Sequence, residues 1–357
     1  MQCCEYDGKL EVPISIVSMS IKGKDYYYDA YSFVDIDFTD TYNTVNEAVE
    51  NGQYLASRVP SKNPARFAGN LINGSSGVIL NPGLPKVRDF IVETCMEVIE
   101  NYDVDAIHFD DYFYPYPIAG VEFNDTLAFE KYAAVQGFVV EGDPNATDSL
   151  AQAQYQQNRK AVLGDWRRHN VELLIKQLND TIKEIKPWVR FGISPFGIHR
   201  NKKDTPDSSG SNTNGLSNYD QLFADVPGWA ERGIIDYQVP QLYWEIGHRL
   251  ADYKTLIEWW NATVKRGHLY IGQSISSFSK PDLDNPEINQ TAAKMKLVRE
   301  LPNVHGNVWW PAWSLVRNQA GVQESLRTEW QKTPALIPAY TWLDSKAPAA
   351  VEGLKAD

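Results

Sequence analysis

Two adjacent aspartates, Asp110 and Asp111, form the clearest chemical motif in this sequence of 357 residues. They follow a short apolar run at residues 106–109, where alternation of side chains between two faces would place His108 beside Asp110. Both aspartates would then stand at the carboxyl end of a strand. Paired carboxylates in such a place can supply the acid and the second carboxylate of glycoside hydrolysis. We therefore predict a catalytic role for the pair; the alternative is structural, a turn cap next to a buried ion pair.

A third carboxylate, Glu245, follows a later apolar run and is the next catalytic candidate. Alternation places it on one face with Gln241 and Tyr243, a polar row suited to ligand contact. The alternative is a surface glutamate that starts a loop. The candidates for substrate binding lie near the ends of the apolar runs, and they are His108, Tyr112, Ser194, Phe196, Arg200, Gln241, Tyr243, Gln273 and Trp310.

Several other chemistries lack their motifs in this sequence. No Gly-x-Ser-x-Gly surrounds Ser194, which disfavours a serine hydrolase. No Gly-x-Gly-x-x-Gly occurs, and no histidine pair has the spacing of metal ligands. We therefore expect no cofactor and no required metal ion. Because carboxylates also bind Mg²⁺ or Ca²⁺, a metal hydrolase is the competing interpretation.

The composition disfavours several classes of partner. Lys and Arg number 34 against 46 Asp and Glu, a net charge of −12, and no basic run could neutralise the phosphates of nucleic acid. No window approaches about 18 uninterrupted apolar residues, so no transmembrane segment is expected, and the N-terminus does not resemble a signal peptide. The 11 Trp and 19 Tyr are many for this length, and some of these rings can form platforms for sugars.

Helical and strand patterns alternate from residue 85 onward. Helices are predicted at 85–102, 165–186, 219–232, 252–265 and 291–301, and strands at 106–110, 189–194, 235–244, 269–273 and 307–310. Links from helix to strand are short, whereas the links from strand to helix at 111–164 and 195–218 are long. Long loops at the carboxyl ends of parallel strands are typical of (β/α)8 enzymes. We predict an α/β fold of the (β/α)8 TIM-barrel type.

The same patterns divide the chain into three segments. Residues 81–333 would form the catalytic barrel portion. Residues 1–80 carry only two weak strand patterns, at 12–21 and 31–38, so the N-terminal third of the barrel is expected to be irregular or incomplete. Residues 334–357 would be a linker toward a C-terminal β domain.

Several motifs along residues 81–315 resemble one bacterial family. They are Asn81-Pro-Gly-Leu-Pro-Lys-Val-Arg, the run from Tyr102 to Pro117, Asp165-Trp-Arg-Arg, Phe191-Gly-Ile-Ser-Pro-Phe-Gly-Ile, Pro240-Gln-Leu-Tyr-Trp and Tyr270-Ile-Gly-Gln. In this order they are similar to glycosyl-hydrolase-like proteins of the GHL10 type. The resemblance implies a TIM-barrel glycosidase fold, an extracytoplasmic setting and, for some members, action on the glycan strands of peptidoglycan. It also implies that Asp110 and Asp111 are the catalytic carboxylates, whereas Glu245 stands where members vary.

The residues and the resemblance together favour a monomeric O-glycosyl hydrolase. Its partner would be a polysaccharide or oligosaccharide of bacterial origin, cleaved at an O-glycosidic bond. The alternative is a non-catalytic glycan-binding barrel or an inactive, truncated one. Equilibrium binding measured together with turnover of glycan oligomers distinguishes the two hypotheses, because a glycan-binding barrel would bind the oligomers without cleaving them.

Overall fold

The computed structural model describes Pro64 and residues 68–75, 77–287 and 289–346, together with the backbone of five short strands between residues 4 and 36. Its strands are β1 Cys4–Tyr6, β2 Lys9–Val12, β3 Ser18–Ile21, β4 Lys24–Tyr27, β5 Val34–Ile36, β6 Leu71–Gly74, β7 Gly77–Leu80, β8 Ala106–Phe109, β9 Arg190–Ile193, β10 Tyr237–Gln238, β11 His268–Ser274 and β12 Val304–Trp310. Its α-helices are α1 Pro85–Asn101, α2 Thr126–Tyr132, α3 Ser149–Ile185, α4 Val226–Glu231, α5 Tyr253–Thr263, α6 Ile275–Phe278, α7 Thr291–Glu300, α8 Ala312–Val316 and α9 Val322–Ser325.

A parallel sheet of β8, β9, β10, β11 and β12 forms the centre of the described fold. The strands lie side by side in chain order, and every neighbouring pair is parallel. Because parallel neighbours need a crossover, a helix lies in each connection: α3, α4, α5 and α7 in turn. Parallel strands in sequential order, each followed by a helix, are the arrangement of a (β/α)8 barrel. The predicted α/β class is therefore confirmed, and the five described strands are consistent with the predicted barrel.

One face of this sheet is apolar and packs against the helices. Ile107 and Phe109 of β8 and Phe191 of β9 are at most 2% exposed and share a buried cluster with Leu174 and Leu178 of α3. Burying a side chain of this size stabilises the fold by roughly 1.5–3 kcal/mol. The alternation that buries these residues turns their neighbours along each strand to the opposite face, where the site lies.

On that opposite face, one glycine is required by a close approach. The Tyr237 ring of β10 lies across β9, and a Cβ built on Gly192 would stand 2.0 Å from its nearest ring atom. Any larger residue at this position would displace the ring. Tyr237 in turn stacks on His108, with ring centroids 5.7 Å apart.

Helix α3 is longer than predicted. It begins at Ser149 rather than near residue 165, and the Asp148 carboxylate caps it by accepting hydrogen bonds from two N–H groups of the first turn. The added residues are mostly good helix formers without an apolar stripe, so hydrophobic periodicity missed them. Together with α2, this helix makes much of the predicted loop at 111–164 helical. Within the described residues, neither α3 nor any other helix is long and apolar enough to cross a membrane.

Two other predicted elements are shorter or divided. The regular ladder of β10 covers only Tyr237–Gln238, and Gln241 adds isolated bridges beyond it. Pro240 explains this interruption, because it has no N–H to extend the ladder. The helix predicted at 219–232 is a π turn at Asn218–Leu222 followed by the separate helix α4.

The strands before residue 81 pair in an antiparallel manner. β1, β2 and β5 form one sheet, β3 and β4 a second, and β6 and β7 a hairpin. The strands predicted at 12–21 and 31–38 correspond in part to β3 and β5. Residues 37–63 lie outside the described part of the chain, so the irregular barrel start expected for residues 1–80 stays a prediction.

The segment after residue 334 packs against the amino end of the parallel sheet. Trp342 Nε1 donates a hydrogen bond of 2.7 Å to Asp236 Oδ1, and the Tyr340 ring lies 4.2 Å from the His268 ring, measured between centroids. The predicted linker is therefore docked to the sheet at these positions. Residues 347–357 lie outside the described part of the chain.

Replacing Trp342 by Ala should lower the free energy of unfolding by about 2 kcal/mol, because a hydrogen bond to a buried charged acceptor is lost. Urea denaturation measures the change. Leu336→Ala is the matched control, since Leu336 belongs to the same segment, is 97% exposed and should leave the stability unchanged. Equal stability of the wild type and both variants would mean that the docked segment contributes nothing.

Candidate active site

Asp110 stands at the carboxyl end of β8 on the face of the sheet away from the helices, and its side chain is exposed. Its Oδ1 accepts two hydrogen bonds, one of 2.5 Å from Gln241 Nε2 and one of 2.9 Å from the N–H of Asp111. The Gln241 amide also donates to the carbonyl of Ser194 at 3.0 Å. Three strand ends therefore fix the orientation of one carboxylate that solvent and ligand can reach.

Asp111 lies beside Asp110 in a different environment. It is 1% exposed, and its Oδ2 accepts a hydrogen bond of 2.6 Å from the Tyr116 hydroxyl. Burial, followed by the negative charge of Asp110, raises the pKa of the Asp111 carboxyl to about 8. A hydrogen bond between the two side chains acts in the same direction, whereas the Tyr116 hydroxyl opposes it. The Asp111 carboxyl therefore holds its proton at neutral pH.

Aromatic rings surround the two carboxyl groups. Tyr243 and Trp310 are stacked, with centroids 5.7 Å apart and planes inclined by 17°, and Trp310 is 53% exposed. The rings of Tyr112 and Phe196 both lie next to the Tyr116 ring, at 6.0 and 6.1 Å between centroids. Burial, then the charges of the two aspartates, raises the pKa of Tyr112 to about 12. The Tyr112 hydroxyl therefore stays uncharged. Together these rings form a largely apolar wall of the kind that packs against the face of a sugar ring.

A buried ion pair supports the loop that follows the aspartates. Arg167 of α3 donates from Nε and Nη2 to the two oxygens of Asp125, at 2.7 and 2.6 Å, and Tyr114 donates to the same carboxylate at 3.1 Å. The guanidinium also packs on the rings of Phe123 and Phe223. Sequence analysis assigned no role to these residues, although Arg167 belongs to one of the motifs quoted above.

Glu245 forms an ion pair of its own. Its Oε2 lies 3.3 Å from Lys280 Nζ. Burial acts to raise the pKa of Glu245, but its own backbone N–H and the Lys280 ammonium outweigh burial and lower this pKa below its ordinary value. Glu245 is therefore an ionised carboxylate at neutral pH, and its catalytic role remains a prediction.

Three other predicted residues have structural partners. The Ser194 hydroxyl donates to the backbone carbonyl of Val239 at 3.0 Å. Arg200 forms a two-pronged pair with Asp220, both contacts being 3.1 Å, which satisfies the side chain proposed to hold a ligand. His108 lies deeper on the same face as Asp110, with Nδ1 3.1 Å from the Tyr237 hydroxyl.

Gln273 was predicted to bind substrate, and the structure places it on the opposite side of the sheet. Its Nε2 donates to the Tyr253 hydroxyl of α5 at 2.6 Å and to Asn307 Oδ1 at 2.9 Å. It is fully buried there, in the row of Leu269 and Ile271, which pack against the helices. Alternation along β11 places Gln273 on the same side of the sheet as Leu269 and Ile271, which is the side that faces the helices.

Lys294 is a buried residue that sequence analysis missed. Its Nζ donates to the carbonyls of Trp244 and Ser277, at 2.9 and 3.0 Å, and so connects the segment before Glu245 to α6. Burial lowers the pKa of Lys294 to about 7. A lysine on a helix face gives no sequence signal of this kind, because surface lysines have the same spacing.

The fold and this site together define a glycoside hydrolase-like barrel protein: carboxyl groups of unlike protonation and aromatic rings meet at the ends of parallel strands. Residues 55–289 match the family model described as glycosyl hydrolase-like 10. The chain therefore belongs to the glycosyl hydrolase-like 10 family, which confirms the resemblance drawn from its motifs.

Two curated relatives and one solved structure are similar to this chain. Glycosyl hydrolase YngK of Bacillus subtilis (strain 168) is 37% identical over 350 residues, which are 94% of this chain and 63% of that protein. Glycosyl hydrolase DigH of Escherichia coli (strain K12) is 35% identical over 238 residues, 64% of this chain and 48% of the relative. The chain thus spans about half to under two thirds of these relatives. The monoclinic crystal structure of bee venom hyaluronidase is 10% identical and covers 70% of this chain and 78% of its own, with a TM-score of 0.37.

Proposed function

We propose that the protein hydrolyses O-glycosidic bonds of a bacterial polysaccharide and that the pair of Asp110 and Asp111 is its proton donor. The observation that carries this proposal is the unlike environment of two adjacent carboxyl groups at a strand end. One is exposed and fixed by two hydrogen bonds, and the other is buried and protonated. Unlike environments of this kind divide acid and base roles between carboxyl groups.

In the proposed reaction, Asp110 contacts the glycosidic oxygen and Asp111 holds the proton beside it. The proton passes through the hydrogen-bonded pair to the leaving oxygen as the glycosidic bond breaks. The oxygen of a water molecule bonds to the anomeric carbon, and the proton that this water loses balances the one that the pair has given up. Glu245, ionised at neutral pH, is the candidate for the second carboxylate that glycosidases require. The rings of Tyr243 and Trp310 are the candidate platform for the sugar.

Membership of the family supports a carbohydrate substrate, and the relatives are named only as glycosyl hydrolases. Among bacterial glycans we propose the glycan strands of peptidoglycan as the first substrate to test, following the family resemblance. The same resemblance supports an extracytoplasmic location. We also propose that the barrel acts as a monomer and binds no nucleic acid, which the net charge of −12 supports.

A panel of purified glycans tests the proposal directly. It should include peptidoglycan strands stripped of peptides, with released reducing ends followed by mass spectrometry. Equilibrium binding is measured on the same glycans with wild type and Asp110→Asn. Cleavage by the wild type supports the hydrolase. Binding by both proteins without cleavage by either would instead identify a glycan-binding barrel.

Treatment with EDTA should leave turnover unchanged, and added Mg²⁺ or Ca²⁺ should not raise it. The physical reason is that, among the residues that the structure describes, no group of three or more His, Cys, Asp or Glu side chains could hold an ion. In addition, Asp110 Oδ1 and Asp111 Oδ2 already accept hydrogen bonds from an amide, a backbone N–H and a hydroxyl. Turnover rates before and after chelation, with the ions added back, measure this. Loss of activity that either ion restores would favour the metal-hydrolase interpretation.

A further inference from the structure

We propose that the hairpin of β6 and β7 is a positioning element for the carboxylate pair and that Tyr116 transmits its effect. This inference rests on the proposed function. The hairpin precedes the barrel strands of the described fold and contributes no residue to the wall around Asp110. Its contacts with the loop after Asp111 nevertheless determine where one hydrogen-bond donor stands.

The first contact is a clamp on the backbone of Tyr116. Ser75, at the turn of the hairpin, donates from its N–H to the Tyr116 carbonyl at 2.8 Å and from its Oγ to the same carbonyl at 3.1 Å. The Ser75 hydroxyl also lies 3.3 Å from the carbonyl of Pro117. Backbone and side chain of one residue thus hold a segment that has no regular secondary structure of its own.

A second clamp holds the far end of the same loop. The N–H of Asn73 donates to Asn124 Oδ1 at 3.0 Å, and Asn124 Nδ2 donates to the carbonyl of Leu71 at 3.0 Å. One asparagine side chain therefore pairs with a backbone N–H and a backbone carbonyl that lie two residues apart on β6. With both ends fixed, the loop between Tyr116 and Asn124 cannot shift as a body without breaking several hydrogen bonds.

The approach of hairpin and loop is close enough to require a glycine. A Cβ built on Gly74 would lie 2.4 Å from the Tyr116 carbonyl oxygen and 2.6 Å from Cβ of Pro115. Such distances force the loop backbone to move, because neither contact is with the end of a flexible side chain. The Tyr116 ring would then move away from its position next to Tyr112 and Phe196.

The Tyr116 hydroxyl connects the hairpin contacts to the carboxylate pair. It donates to Asp111 Oδ2 at 2.6 Å, on the carboxyl group that holds the proton of the pair. A donor to a carboxylate favours its ionised form, so this hydroxyl limits how far burial raises the pKa of Asp111. The hairpin thereby adjusts the acidity of the proton donor as well as its place.

Tyr116→Phe tests the inference. We expect kcat to fall about tenfold to a hundredfold with little change in KM, since a hydrogen bond to the reacting pair is lost without loss of the ring. The basic limb of the pH–rate profile should move to higher pH. Tyr155→Phe on α3 is the matched control and should change neither quantity. Unchanged kcat and an unmoved pH profile in Tyr116→Phe would overturn the proposal.

Gly74→Ala is an independent variant that keeps the hydroxyl but misplaces it. It should reproduce the loss of kcat and the shift of the pH profile, while urea denaturation reports whether the fold is retained. A folded Gly74→Ala protein with wild-type kcat and pH profile would show that the hairpin does not position the pair.

A measurement without substrate separates this inference from the proposed function. The free energy of unfolding should fall with rising pH until Asp111 loses its proton, and the pH at which the fall ends should be higher in Tyr116→Phe. If this shift occurs but no glycan is cleaved, positioning stands and the proposed function fails. If glycans are cleaved but the shift is missing, the positioning inference fails alone.

Discussion

Replacing Asp110 by Asn should lower kcat/KM on a cleavable glycan by roughly 10²–10⁴-fold, the size of effect that general acid catalysis contributes. The amide oxygen of Asn can still accept the hydrogen bonds from Gln241 and from the N–H of residue 111, so the site should keep its shape. What disappears is the path of the proton to the leaving oxygen. Initial rates over a range of substrate concentrations measure the loss, and equilibrium binding should change far less.

The matched control for this variant is Asp105→Asn, which precedes the same strand. The Asp105 side chain is 95% exposed and stands 3.8 Å from Arg190 Nη2, at the opposite end of β8 from the site. It should retain wild-type turnover, because a loose surface pair of this kind contributes little. Asp110→Asn with turnover equal to this control would remove Asp110 from the proton path and move the role to Asp111 or elsewhere.

The fold could be predicted from the sequence where an element packs against the core, because its apolar residues then recur at regular spacing. Helix α1 was predicted at 85–102 and occupies Pro85–Asn101, because its apolar residues recur at helical spacing and Pro85 suits the first turn. The first half of α3 was missed because it buries little and has no apolar stripe. Hydrophobic periodicity arises where a helix packs against a core. A helix without such packing can be recognised in the sequence only from its capping residue and from the helix propensity of its residues.

The site could be predicted in part for a related reason. Alternation along a strand correctly placed Asp110 and Gln241 on one face, and these two residues are joined by a hydrogen bond. The sequence could not indicate that Asp111 is buried under Tyr116, or that Arg200 is paired with Asp220, because those contacts depend on how long loops fold back. Loop residues lack a period, so their partners are determined by tertiary packing alone.

The second large effect concerns stability and pH. Asp111 binds its proton far more tightly in the folded protein, where its pKa is about 8, than in an unfolded chain, where an aspartate has a pKa near 3.9. Below about pH 4 both states hold the proton, and the contribution of this group to stability is complete. Between about pH 4 and 8 only the folded state holds it, so stability falls as pH rises and the fall ends above the folded pKa.

Asp111→Asn should therefore be about as stable as the wild type below about pH 4 and more stable at pH 9. The expected difference is several kcal/mol, with roughly 6 kcal/mol as the upper bound, because the pKa differs by about four units between the two states and each unit corresponds to about 1.4 kcal/mol. An uncharged amide resembles the protonated acid and never has to be buried as an anion. Urea denaturation of both proteins at about pH 4, 7 and 9 gives the difference directly, and titrating groups that do not interact with Asp111 cancel in it.

Two further variants make this stability measurement decisive. Asp110→Asn removes the neighbouring charge that helps to raise the pKa of Asp111, so the fall in its stability should end at a lower pH than in the wild type. Asp105→Asn should follow the wild-type curve. If wild type and Asp111→Asn differ by the same amount at every pH, Asp111 is already ionised in the folded protein. The pair then has no proton to give near neutral pH, and the acid of the proposed reaction must be sought elsewhere at the mouth.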